Sequence, residues 1–194
     1  MPEREFTIEI PNQFYSDSEG KPFENCLVCN KYLLVSGTSY IIEKALKTYK
    51  GYDFYSTVYE FAICSDCHLK MQELMSEESK LNLQKYYSET IHRKMKEPIF
   101  INPSDFNLVD WLSKCFFTGN TIKEMKEYQV VAQFNGNKMV LNMPPMVIGE
   151  AALNEMSVLL SEKTIDEMNG FRDKFLGPPP DIEELIYGKR LIML

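Results

Sequence analysis

Apolar and polar residues alternate over residues 6–10, Phe-Thr-Ile-Glu-Ile, which predicts a half-buried strand. The turn-rich stretch 11–21 reads as a loop. Residues 32–35 form a short apolar run ended by Ser36 and Gly37, so a short strand is expected there. Over 40–49, Ile41, Ile42, Ala45, Leu46 and Tyr49 fit one helical face on period alone, which leaves helix and strand both open. Residues 55–64 are rich in aromatic and β-branched types and predict a strand. Ser65 is a suitable helix N-cap, and from Asp66 the pattern turns helical, with Leu69, Leu74 and Met75 to one side. Ser76 is expected to cap a second helix that runs through Leu81, Tyr86, Tyr87 and Ile91 towards Met95. Pro98 and Pro103 mark a linker over 97–105.

Beyond the linker, 105–114 reads as a short helix bearing Trp111 and Leu112. Asn135-Gly136 separates two apolar runs, 128–134 and 138–142, and predicts a hairpin because both residues tolerate positive φ. Pro144 and Pro145 end its second strand, and 149–160 reads as a helix. Ser161 caps another helix through Ile165, Met168 and Phe171, which Gly177 and the following prolines stop. A short helix over 181–187 and an apolar tail over 191–194 complete the chain.

Laid against each other, the halves match as a degenerate tandem repeat. Cys26-x-x-Cys29 falls on Cys115-x-x-Thr118, Tyr40 on Tyr128, Cys64-x-x-Cys67 on Met143-x-x-Met146, and Ser76 on Ser161. On that match 40–46 should be strand, as 128–134 is, and the second unit keeps a frame that has lost three of four cysteine positions. The expected fold class is α+β: two small knuckle-hairpin-helix units packed together with extra helices. The divisions are an N-terminal strand and loop over 1–24, a four-cysteine unit over 25–97 and a degenerate unit over 98–194.

Composition narrows the function. In 194 residues there are 21 Lys and Arg against 28 Asp and Glu, a net charge of −7. The segments 1–97 and 98–194 carry −3 and −4, so neither offers a basic face. That balance argues against a nucleic-acid coat, which runs on phosphate neutralisation. No run approaches the ~18 apolar residues of a membrane span, and the first ten residues lack a secretory apolar core. A cytoplasmic setting is the expectation, in which paired cysteines point to metal or redox chemistry before disulfides.

Four of the five cysteines form the spacing C-x2-C-x34-C-x2-C at Cys26, Cys29, Cys64 and Cys67. Each C-x-x-C sets two sulfurs on one side of a tight turn, and two pairs complete a tetrahedral shell of soft, charge-neutralising thiolates. The first pair lies in a knuckle, the second at a strand-to-helix junction, where the helix dipole favours thiolate. Over about residues 25–83 this pattern resembles a treble-clef or zinc-ribbon-like zinc finger. The resemblance implies one structural zinc per chain, ligated by Cys26, Cys29, Cys64 and Cys67.

Other readings of the same residues compete. Cys64-Ser-Asp-Cys67-His68 spells the C-x-x-C-H of a c-type haem site, and Cys64 and Cys67 opening a helix after a strand fit a thioredoxin-like redox pair. Both leave Cys26 and Cys29 without a task. Buried free thiols are the remaining option. His68 could replace one cysteine as a ligand, His92 reads as a surface residue, and Cys115 as a small apolar side chain. Cys115 with Met143 and Met146 would suit Cu(I), although core packing accounts for them more simply. No phosphate-binding loop, dinucleotide fingerprint or nucleophile elbow occurs. The leading expectation is a non-enzymatic zinc-binding protein that binds another protein; the alternatives are a nucleic-acid-associated zinc finger and a thiol redox or metal-handling protein using Cys64 and Cys67.

Overall fold

In the computed structural model, which describes residues 6–49, 54–94 and 106–177 (the side chains of 92–94 excepted), the aromatic and β-branched runs become one antiparallel sheet. The elements in chain order are β1 (Thr7–Glu9), β2 (Ser39–Thr48), β3 (Tyr55–Cys64), α1 (Ser65–Leu74), α2 (Glu77–Lys94), α3 (Leu108–Trp111), β4 (Glu127–Asn135), β5 (Lys138–Val140), β6 (Met146–Gly149), α4 (Glu150–Ser157) and α5 (Glu162–Phe175). The fold class is α+β, as expected. β2 is central: β3 pairs along one side, from Tyr40 opposite Cys64, and β4 along the other, from Ser39–Asn135 to Lys47–Glu127. The outer side of β4 is shared by β6 at Tyr128–Val131 and β5 at Phe134–Asn135. β1 closes the sheet against β5, so the N-terminal strand joins residues of the second half.

The ambiguous segment 40–49 is strand. Its helix-like period arose because β2 is buried on both faces, with Ile42 to Leu46 all inside, and a strand of that kind shows no alternation. On one face Tyr40 stacks on Phe134, and Phe14 meets Phe134 edge-on, ring centroids 5.3 Å apart in both pairs. The N-terminal loop covers that face. On the other, Phe61 of β3 packs against Phe171 of α5. The hairpin forms one residue later than its signal: Asn135 pairs with Lys138, and Gly136 takes the positive φ, at 57°. Tyr40 fastens this turn by donating its hydroxyl hydrogen bond to the Gly136 carbonyl at 2.9 Å.

Several expected elements shift. Residues 32–35 form no strand; only Tyr32 bridges, to Asn25. α1 starts one residue early, with Cys64 as its N-cap. Leu69 and Leu74 are exposed, and Cys67 is the buried residue of α1, so the expected apolar face is absent. The reason is that α1 is tethered by its first turn and does not lie on the core. The helix expected over 105–114 spans only Leu108–Trp111, and that over 149–160 only Glu150–Ser157. The capping serines hold: Ser79 N–H donates to Ser76 Oγ at 3.1 Å, and Thr164 N–H to Ser161 Oγ at 3.3 Å. The linker core and the C-terminal helix and tail lie outside the described residues.

One buried ion cluster secures the loop-covered face. Lys44 Nζ lies 2.6 Å from Asp17 Oδ1 and 3.1 Å from Glu60 Oε2, with the lysine side chain almost fully buried. Burial alone would raise the Glu60 carboxyl, but the amide of Asp17, the Ser16 hydroxyl, the amide of Ser18 and Lys44 together hold it below its ordinary 4.5. A depressed carboxyl stabilises the fold above its unfolded value, and that stability is lost as pH falls through the folded-state value. Glu60→Gln should therefore cost about 3 kcal/mol at neutral pH by leaving Lys44 under-compensated. The gap to wild type should narrow as the pH falls below 4.5 and through the depressed folded-state value, as measured by urea unfolding across pH. Gly136→Ala should cost about 1–2 kcal/mol in the same assay. Its Cβ would press to 3.0 Å on the Ser36 nitrogen and Val35 oxygen at a left-handed φ.

Candidate metal centre

The first cysteine pair is held by backbone geometry alone. Cys26 N–H donates to Lys31 O at 2.9 Å and Asn30 N–H to Cys26 O at 2.9 Å, closing a tight knuckle. Asn30 takes the left-handed φ of 58° that this turn needs, which asparagine tolerates. Leu27 N–H donates to Ala62 O at 2.9 Å, docking the knuckle on the free side of β3. The second pair rides the β3-to-α1 junction, Cys64 as N-cap and Cys67 in the first helical turn. Across the two pairs, Cys64 N–H donates to Cys26 Sγ at 3.4 Å, and Lys31 reaches Asp66 at 3.6 Å on the exposed rim.

The result is convergence. The four Sγ atoms of Cys26, Cys29, Cys64 and Cys67 all lie within 4.8 Å of one another. Cys29 and Cys64 are 3.7 Å apart, far beyond the ~2.05 Å of a disulfide. Four sulfurs at about 2.3 Å from one ion stand about 3.8 Å apart in a tetrahedron. The spacing thus suits a metal ion and does not suit disulfides. Cys26, Cys64 and Cys67 are buried, and Cys29 is exposed.

Electrostatics show what the sulfurs need. Burial would raise the Cys26 thiol, but the amides of Cys29, Cys64 and Val28 outweigh it and bring it down to about 7. Cys64 and Cys67 go the other way. Burial pushes both up. At Cys64 the amide and thiol of Cys67 offset part of this, while the Cys26 and Cys29 sulfurs add to it. At Cys67 the other three sulfurs all add to it, so further negative charge in the cluster is opposed. A cation among the four sulfurs is the simplest compensation for that repulsion.

Sequence reasoning named these four residues, and the structure brings them together. His68 stands outside the group; it is half-buried, and burial lowers its pKa. The side chain of His92 lies outside the described residues. Cys115 is buried elsewhere, its Sγ accepting from Gly149 N at 3.3 Å, while Met143 is exposed. The redox reading needs an accessible, low-pKa Cys64 or Cys67, and both are buried with raised thiols. The sequence match of Cys64-x-x-Cys67 with Met143-x-x-Met146 is also corrected. β6 begins at Met146 because Pro144 and Pro145 have no N–H for a ladder, so the strand-to-helix junction falls later, at Gly149. The amide donors to Cys26 were missed, since a backbone N–H leaves no mark in a sequence.

Comparison with known proteins finds no matching family model, no matching curated protein and no matching solved structure. Among the described residues, no helix is long and apolar enough to cross a membrane.

Protein purified without chelator should carry one metal ion per chain by mass spectrometry. Cys64→Ser and Cys67→Ser should each drop that content well below one, while Cys115→Ser should leave it unchanged. Metal retained in both ligand variants would overturn the assignment.

Proposed function

We propose that the chain is a non-enzymatic protein in which Cys26, Cys29, Cys64 and Cys67 hold one structural zinc ion, and that the frame around it presents a surface to another protein. The observation that carries this reading is the closed set of four converging thiols. Four thiolates fill a tetrahedral shell and leave no position for substrate water, which is the chemistry of a structural ion. Zinc suits the all-sulfur donor set because it has no redox chemistry and accepts tetrahedral geometry without penalty. Its binding energy would serve as folding energy for a knuckle and a helix start that share few other contacts. On this reading the first unit is treble-clef-like, and the second repeats its frame.

The partner reading rests on the rim. Val28 in the knuckle, Tyr32 at its exit and Leu69 in α1 are all exposed, which places apolar side chains around the cluster. The net charge of −7 opposes a nucleic-acid partner.

The test is native isolation followed by metal analysis and in-cell crosslinking. Zinc at one per chain is the expected result. A protein crosslinked to wild type should be lost from a Tyr32→Asp, Leu69→Asp double variant of unchanged zinc content and Tm. Iron or haem in place of zinc, or an unaltered crosslinking pattern in the variant, would sink the reading.

A further inference from the structure

A second knuckle lies in the other half, and it copies the first bond for bond. Cys115 N–H donates to Asn120 O at 2.8 Å and Gly119 N–H to Cys115 O at 2.9 Å, as Cys26 and Asn30 do. Gly119 takes the positive φ, 79°, at the position of Asn30. Isolated bridges flank both knuckles, Asn25 with Tyr32 and Lys114 with Thr121. Phe116 N–H donates to Val147 O at 2.7 Å, two residues before Gly149; Leu27 binds Ala62, two before Cys64. Gly149 N–H meets Cys115 Sγ at 3.3 Å, as Cys64 N–H meets Cys26 Sγ at 3.4 Å.

The elements around the knuckles agree. Tyr40 pairs with Cys64 and Tyr128 with Gly149. Cys64 and Gly149 are the N-caps of α1 and α4, both in extended conformation. Cys67 and Ala152 are the third residues of those helices, and both are buried. Three residues beyond each tyrosine, Glu43 and Val131 stand opposite each other in the β2–β4 ladder, which sets a two-fold relation between the halves. The helix caps obey it too: Ser76 N–H donates to Thr164 Oγ1 at 3.0 Å, and Ser161 N–H to Ser79 Oγ at 2.9 Å.

The second frame differs at its centre. A Cβ on Gly149 would fall inside Met125 Sδ and stand 3.6 Å from the Cys115 Cβ. Met125 is itself buried. The thioether therefore fills the space that a cysteine side chain at 149 would use, and methionine is the side chain best able to fill an irregular gap.

We propose that Cys115, Thr118, Gly149 and Ala152 are the four ligand positions of a second metal-site frame, sealed by Met125 so that the second half folds without an ion. The seal makes the two halves unequal in kind. One knuckle depends on metal, and the other is a hydrophobic plug of the same backbone shape. This goes beyond the structural-zinc reading, and it does not depend on which ion the first site takes.

The frame should accept metal once unsealed. The variant Met125→Ala, Thr118→Cys, Gly149→Cys, Ala152→Cys, refolded with zinc, should hold one more zinc per chain than wild type by mass spectrometry. The increment is read against wild type, so it stands whatever the first site contains. A folded variant with no extra ion, or one that folds neither with zinc nor without it, overturns the proposal. The seal has its own test. Gly149→Ala alone should lower Tm, and Met125→Ala with Gly149→Ala should recover most of the loss, because the new methyl enters the vacated space. A neutral Gly149→Ala, or losses that simply add, would show that Met125 seals nothing.

Discussion

The antiparallel pairing of β2 with β4 is the constraint on which the rest depends. It joins strands from the two halves in one ladder from Ser39–Asn135 to Lys47–Glu127 and places both under covering layers. Every backbone donor of such a doubly buried strand must find its partner in a neighbour, so its register is strongly specified. From that register follow the Tyr40–Phe134 stack and the anchoring of the Gly136 turn, while the β2–β3 ladder on the other side of β2 sets Cys64 opposite Tyr40.

Burying β2 on both sides also commits polar groups to the interior. Lys44 is answered by Asp17 and Glu60 on one face. Glu43 accepts from the Tyr59 hydroxyl at 2.7 Å on the other, and Gln129 donates to that same hydroxyl at 2.6 Å. Such networks contribute little net stability, but breaking one member is costly, so they favour a single arrangement of the covering layers. The candidate metal centre sits at the edge of this rigid body. Its knuckle is held to β3 by the backbone bond from Leu27 to Ala62, by the Cys64 N–H on Cys26 Sγ, and through whatever the four sulfurs share.

The cysteine set was legible because C-x-x-C is a local geometric device: two residues between ligands close one turn, whatever lies elsewhere. The strand 55–64, the capping serines Ser76 and Ser161, and the 128–134 strand were legible for the same reason. The helix-like period of 40–49 misled because burial on two faces erases alternation. Leu69 and Leu74 misled because apolar spacing says nothing of whether a core lies beside it. The match of Cys64 with Met143 misled because sulfur-bearing side chains were aligned across Pro144 and Pro145, which precede the strand, and the strand-to-helix junction lies six residues on, at Gly149.

The amino-acid sequence by itself determined which side chains can ligate, where helices begin and where the chain must turn, because those depend on neighbours within a few residues. Only the tertiary structure decided that four sulfurs converge within 4.8 Å, that Gly149 caps a helix opposite Tyr128 as Cys64 does opposite Tyr40, and that Met125 Sδ occupies the space a Cβ on Gly149 would need. Those facts rest on contacts between residues distant in the chain, such as Leu27 with Ala62 and Tyr128 with Gly149, whose partners no local pattern can name.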